Sequence, residues 1–365
     1  MRALARVNVA AIERNVARLR GELNGAELCA VVKADGYGHG AAPAARAALA
    51  GGATWLAVAT AEEAAALRTA GVHARLLVLG ALAPAELDAA LGADADVIAW
   101  REDFVAAVAA RGGGRVHVKL DTGMGRLGTR EVAEATRVVE AATAGDTVEL
   151  AGALTHFATA DEPDDDFFGE QLARFEAWAL PLRERHPGIV LHAANSAALL
   201  RDAASHFDLV RAGIAIYGLD PFQEDAAAQD LEAALELVSY VAAIKPCATG
   251  ESTGYGRRFV ADHDTLVATV PIGYGDGVRR ALTNNADVLI GGRRFPVVGT
   301  VSMDNITLDL GSDGGGVQEG DEVVLIGSGV PAEEMARRLS TINYEITCGL
   351  TARVPRAYHR DGMPL

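Results

Sequence analysis

The stretch AVVKADGYGHG, Ala30 to Gly40, decides the fold. Leu28 to Val32 is a short apolar run of strand character, and Lys33 follows it at once. A Gly-rich turn then carries Tyr37 and His39, and an Ala-rich helical stretch starts near Gly40. Strand, turn and helix in that order form the repeating unit of parallel α/β folds. Barrels of this type keep their chemistry at the C-terminal ends of the strands, which is where Lys33 stands. An amine in an apolar setting loses part of its preference for charge and then serves as a Schiff-base nucleophile or a general base. Taken alone, the stretch also describes a surface lysine that closes a strand, so the rest of the chain decides.

Seven more runs of the same kind follow: Trp55–Ala59, Arg75–Leu79, Ala95–Ala99, Val116–Leu120, Leu150–Leu154, Ile189–His192 and Leu209–Arg211. Stretches rich in Ala, Glu and Arg separate them. Eight βα units over residues 10–225 predict an α/β fold, a (β/α)8 TIM-type barrel. An open doubly wound sheet is the alternative, but no GxGxxG follows the first strand. Residues 223–230 are acidic and Ala-rich and read as a linker. Beyond it lie β-like runs at Leu237–Ile244, Leu266–Pro271, Asp287–Ile290, Phe295–Val298, Ile306–Leu310 and Glu322–Ile326, separated by GG, GSDGGG and GSG turns. They predict a smaller, mostly antiparallel β domain over residues 226–365, with one helix at Pro331–Leu339. Residues 1–9 belong with it, Arg6 to Val9 adding a strand.

The 365 residues carry a net charge of -16, which argues against nucleic acid as a partner, because phosphate binding needs a basic footprint. Cys29, Cys247 and Cys348 are odd in number and widely spaced. They build neither a disulfide framework nor a CxxC metal pair, no metal is expected, and the pattern fits a reducing cytoplasm. No stretch approaches the ~18 consecutive apolar residues of a transmembrane helix. MRALARVNVAAIERN lacks the apolar run of a signal peptide, so a cytoplasmic location is expected.

The predicted strand ends hold the chemistry. They carry Lys33 with Tyr37, Lys119 and Arg126 in VKLDTGMGRLG, His156 in THFATADE, Asn195 and Ser196 in HAANS, and Arg211 and Gly213 in VRAGIAIYG. Unpaired cations at an apolar barrel mouth imply an anionic ligand, and phosphate is the natural one. Ser196 with the Gly213 and Ile214 N–H groups makes a candidate anion nest. His39 and His192 are read as structural.

These segments, with TGYGRRF, PIGYGDG, VGTVSMDN and ARVPR, resemble in order the motifs of the bacterial alanine racemase family, fold-type III pyridoxal-phosphate enzymes. The resemblance covers essentially the whole chain. It implies that Lys33 holds pyridoxal 5'-phosphate and acts as the base on the D-face of alanine. Tyr37, Ser196, Gly213 and Ile214 would cradle the phosphate, with Asn195 beside them, and Arg211 would face the pyridine nitrogen with His156 alongside. Arg126 would bond the cofactor phenolate oxygen and approach the substrate carboxylate. Tyr255 of the partner subunit would be the second base, and Tyr274 and Met303 of that subunit would line the entrance, which implies a homodimer with shared sites. Lys119 matches a position that can be carbamylated in the family; the alternative is an unmodified lysine paired with Asp121 or with a bound anion.

Elementary chemistry supports these roles. Racemisation removes a proton from one face and returns one to the other, so two bases are the simplest solution. A tyrosine, with an ordinary pKa of about 10, needs positive charge nearby, which an Arg211–His156 pair would supply. Arginine does not give up its proton, so at the pyridine nitrogen it leaves the ring a weaker electron sink. Two departures stand out: Ser302 where many relatives have cysteine, and Thr351 where many Gram-positive relatives have a tyrosine that bonds the phosphate. A phosphate contact through Thr351 and a looser site are expected. The rival readings are a racemase of serine or of small amino acids broadly, the decarboxylase branch of the fold, and a non-catalytic pyridoxal-phosphate-binding protein.

Overall fold

The computed structural model describes residues 2–365. The first strand, β1 (Leu4–Asn8), belongs to the second unit below. Eight parallel strands then follow: β2 (Glu27–Val31), β3 (Trp55–Val58), β4 (Arg75–Val78), β5 (Ala95–Ala99), β6 (Gly114–Lys119), β7 (Val148–Leu154), β8 (Val190–His192) and β9 (Leu209–Ala212). Each of the eight apolar runs of the sequence is a strand, within about two residues at either end. β2 pairs with both β3 and β9. The remaining seam, between β8 and β9, is joined by backbone bonds from Asp208 N to the Leu191 carbonyl and from Arg211 N to the Ala194 carbonyl, 3.0 Å each. The barrel is thereby nearly closed, with helices between the strands. Buried on both faces, these strands read as continuous apolar runs. The buried exceptions on these strands include Asp96, His117, Lys119, His192 and Arg211.

The chain forms two compact units, 12–36 with 41–216, and 2–11 with 37–40 and 217–365. The second is built on a ten-stranded sheet that is antiparallel except where β1 runs parallel to Arg356–Arg360. The added N-terminal strand spans Leu4–Asn8, and Val9 already opens the following helix. The run expected at Leu237–Ile244 is two strands, Leu235–Tyr240 and Ala243–Cys247. The chain changes partner at the bend: Val241 N donates to the Asp321 carbonyl and Ala242 N to that of Thr269. A continuous apolar run carries no mark of such a bend. Among the described residues no helix is long and apolar enough to cross a membrane.

Candidate active site

Lys33 follows its strand by two residues and opens a left-handed turn. Ala34, Asp35 and Gly36 have φ of 52, 51 and 62°. For Ala34 and Asp35 this conformation costs roughly 1–2 kcal/mol each, so neighbours must impose it. Glu63 Oε1 accepts the Ala34 N–H at 2.6 Å, Asp35 Oδ1 accepts that of Ala41 at 2.9 Å, and Gly36 N donates to the Val32 carbonyl at 2.9 Å. Glu63 is itself anchored in a capping box with Thr60 at the start of helix Ala61–Thr69. The Lys33 turn is thus held from the neighbouring βα unit.

Arg211, on β9, is buried and fixed on several sides. Its Nη1 donates to His192 Nδ1 at 2.9 Å, and its Nη2 faces the Thr155 and Ala193 carbonyls at 2.9 Å and His156 Nδ1 at 3.2 Å. Its Nε–H finds no protein acceptor among the described residues. Burial pulls the guanidinium down to about 10, which still leaves it charged at neutral pH. Nη2 has two protons for these three neighbours, so the longer contact to His156 Nδ1 shares a proton with a carbonyl. Burial, Arg211, Lys119, Arg126 and Lys33 together hold His156 well below its ordinary value. The positive charge expected of an Arg211–His156 pair therefore resides on Arg211 alone.

Lys119, at the end of β6, is buried, and burial together with Arg211, Arg126 and Lys33 lowers it to about 8, against the pull of Asp121. Asp121 is not its hydrogen-bonded partner: its carboxylate accepts the Gly123 and Gly125 N–H groups and pairs with Arg130. That scaffold shapes the loop carrying Arg126, which is exposed. Lys33, Lys119, Arg126 and Arg211 thus act on one another and on His156 at one group of strand ends.

Ser196 Oγ accepts the N–H groups of Gly213 at 2.8 Å and Ala215 at 3.4 Å, so its own proton points elsewhere. The Gly213 N–H is engaged there, while the Ile214 N–H has no acceptor among the described residues. Asn195 caps the helix Ser196–Arg201, its Oδ1 accepting from Ala198 N. Pyridoxal phosphate brings an aldehyde, a phosphate and a ring nitrogen. The amine of Lys33, the Ser196 hydroxyl with the Ile214 N–H, and the Nε–H of Arg211 are groups of the right chemistry for each, so the residues fit that cofactor.

In the second unit, Tyr37 is buried, its ring centroid 5.2 Å from that of Tyr217 and 6.0 Å from that of Tyr344. Elsewhere in this unit the loops carrying Tyr255, Tyr274, Met303 and Thr351 are linked to one another. Tyr255 opens a short turn flanked by Gly254 and Gly256 at φ 74 and 68°, and its carbonyl accepts the Thr300 hydroxyl at 2.6 Å. The Tyr274 and Gly275 N–H groups donate to the Ser302 and Met303 carbonyls at 3.0 and 2.9 Å. Thr351 Oγ1 donates to the Gly275 carbonyl at 2.9 Å. That bond ties Thr351 to the loop carrying Tyr274. Tyr255, Met303 and Tyr274 are 76, 51 and 42% exposed.

Sequence reading missed Glu63 and the buried chain behind Arg211. His192 Nε2 meets His117 Nδ1 at 2.8 Å, and His117 Nε2 meets Asp96 Oδ2 at 2.9 Å. Burial opposes the charge on Asp96, but the His117 hydrogen bond and the Arg115 and Arg75 guanidiniums outweigh it and hold the carboxyl below its ordinary range.

The histidines carry a pH prediction. Burial first, then nearby cations, holds His117, His156 and His192 below the ordinary 6.5, with Asp96 partly opposing at His117. The unfolded chain therefore binds more protons than the folded one below that value. Stability should be full above about pH 6.5 and fall on acidification, by up to about 1.4 kcal/mol per pH unit for each imidazole. Denaturant unfolding at pH 7.5 and pH 5.5 checks this; equal midpoints would contradict it.

Residues 7–221 match the family model described as "Alanine racemase, N-terminal domain", and residues 234–358 match "Alanine racemase, C-terminal domain". The chain is 43% identical to an alanine racemase of Frankia casuarinae over 98% of its own length and 96% of that protein. Among solved structures it superposes on the alanine racemase of D-cycloserine-producing Streptomyces lavendulae with a TM-score of 0.92 at 37% identity, covering 98% of this chain and 97% of that one. It superposes on the Bacillus anthracis alanine racemase with bound L-Ala-P at 0.90 and 36% identity, covering 100% and 96%.

Proposed function

The chain belongs to the alanine racemase family, and from that premise we propose that it interconverts L- and D-alanine with pyridoxal 5'-phosphate as cofactor. The observation that carries the reading is Arg211: a buried guanidinium, fixed by carbonyls and two neutral imidazoles, with its Nε–H unclaimed by protein among the strand-end cations. Lys33 would hold the cofactor. Ser196 and the Ile214 N–H would meet its phosphate, with Gly213 acting through the Ser196 hydroxyl it holds, Tyr37 contributing a phenol and Asn195 setting the helix start. Arg211 would present a donor to the ring nitrogen. When bound, the cofactor acidifies the α-proton of alanine by accepting electron density.

The rest is done by the chain. Arg126 positions the substrate carboxylate. Lys33 Nζ takes or returns the α-proton on the D-face, and Tyr255 Oη of the partner subunit does so on the other. His156 stands beside Arg211 at 3.2 Å and stays neutral. The exposure of Tyr255, Met303 and Tyr274 in the single chain supports a face covered by a second copy. The assembly would be a cytoplasmic homodimer with two shared sites, supplying D-alanine for peptidoglycan.

At about 8, Lys119 keeps an appreciable uncharged fraction at physiological pH. Its amine would add to carbon dioxide with loss of a proton, making a carbamate anion among the cations. Protein in 13C-bicarbonate should then show a carbamate carbon signal that is missing from Lys119→Ala; its absence from the wild type would sink the modification.

Chiral chromatography of the protein incubated with pyridoxal phosphate and L-alanine, L-serine or larger amino acids tests the function. D-alanine forming fastest and approaching a one-to-one mixture supports it. Unchanged alanine with tightly held cofactor would refute the substrate, and serine racemised faster would favour the looser-site reading.

A further inference from the structure

The barrel interior holds a line of four buried polar side chains, Asp96 on β5, His117 on β6, His192 at the end of β8 and Arg211 on β9. The contacts along it are 2.9, 2.8 and 2.9 Å. The two end groups fix every proton between them. An ionised carboxylate only accepts, so His117 Nε2 must donate to Asp96, and His117 Nδ1 is left as an acceptor. His192 Nε2 must then donate to His117, which leaves His192 Nδ1 as an acceptor. Arginine only donates, and Nη1 meets that lone pair. Asp96 is kept ionised at its far side by Arg75 and Arg115.

We infer that Asp96 and His117 are positioning residues for Arg211, acting through His192, whose tautomer they fix so that the guanidinium always meets a lone pair. This rests on the reading of Arg211 as the group that faces the cofactor. A His192 in the other tautomer would set an N–H against Nη1 and turn the guanidinium from its place between the Thr155 and Ala193 carbonyls. The unclaimed Nε–H would be re-aimed with it.

The plain alternative is a stabilising cluster at the lower end of the barrel, where Arg75 and Arg115 stand near the start of their strands. The ion pairs of Asp96 would serve that purpose without either imidazole. Two neutral histidines inside a barrel core add nothing that apolar side chains would not, unless the direction of their protons matters.

The test uses full-length protein with ring-15N histidine, with and without pyridoxal phosphate, as wild type, His117→Leu and His117→Gln. Glutamine offers an amide N–H to Asp96 and a carbonyl to His192, so it restores the direction of the chain. In the wild type at neutral pH, His192 should show a pyridine-type Nδ1 and a pyrrole-type Nε2. His117→Leu should lose that fixed pattern, shift the absorption of the bound cofactor and lower kcat about 10- to 100-fold with less effect on KM, as loss of orientation does. His117→Gln should recover most of each. A wild-type His192 that is cationic or protonated at Nδ1 would overturn the inference, as would a His117→Leu protein with unchanged kcat and absorption. If His117→Leu does not fold, the wild-type ring signals and the glutamine variant decide. A wild type that racemises nothing would refute the functional reading instead, and the ring signals and cofactor absorption would still decide the chain.

Discussion

Lys33→Ala should leave a folded protein whose alanine racemisation is down by about 10⁴-fold or more, because one amine is asked both to hold the cofactor and to move a proton. The turn after Lys33 is set by backbone bonds to Glu63, Asp35 and Val32, none of which uses the lysine side chain. The strand and its left-handed turn should therefore survive the substitution, and the unfolding midpoint should move little. Pyridoxal phosphate should still associate through Ser196, Ile214 and Arg211, but it should wash out on dialysis and lack the absorption of a covalently held form. A small exogenous amine should return part of the rate, since it restores the nitrogen but not its placement. Racemisation within tenfold of the wild type would mean that another group is the D-face base, and Lys119, already lowered to about 8, would be the first to test.

The barrel was legible because its strands are buried on both faces. Each is a short apolar run closed by a turn, and nothing else in the first 225 residues has that form. The strand-end residues came with it, since Lys33, Lys119 and Arg211 lie within two residues of the ends of their strands. The Asp96–His117–His192 chain was not legible. In a strand buried on both sides, alternation does not mark the inner face, and three residues on separate strands meet only when the barrel closes. The left-handed turn was hidden for a different reason: Gly36 announces such a conformation, but Ala34 and Asp35 do not. The strand Arg356–Arg360 has no apolar pattern and forms because β1 offers it an edge. Thr351 was read by alignment with a motif. Its hydrogen bond to the Gly275 carbonyl was not legible, because the two residues are 76 apart in the chain.

Tyr255→Phe should lower racemisation about 10²- to 10⁴-fold while leaving the loop intact, since only the phenol oxygen is removed. The loop is held by the Tyr255 carbonyl, not by its ring. The loss should be stereochemically one-sided. Lys33 still serves the D-face, so D-alanine should go on exchanging its α-hydrogen with deuterated water without inverting. L-alanine, whose proton faces the missing oxygen, should do neither. The residue also tests the assembly. Tyr255 is 76% exposed in the single chain, and a general base needs a fixed substrate, so the proposed function requires another copy to cover it. If so, Lys33→Ala and Tyr255→Phe proteins, each inactive alone, should regain activity when subunits are exchanged. Each mixed dimer holds one site with both bases, so an equal mixture should approach about a quarter of the wild-type rate, given isologous pairing. A mixture that stays inactive after proven subunit exchange would place both bases in one chain. Rapid exchange by the tyrosine variant with L-alanine would assign that face to a different group.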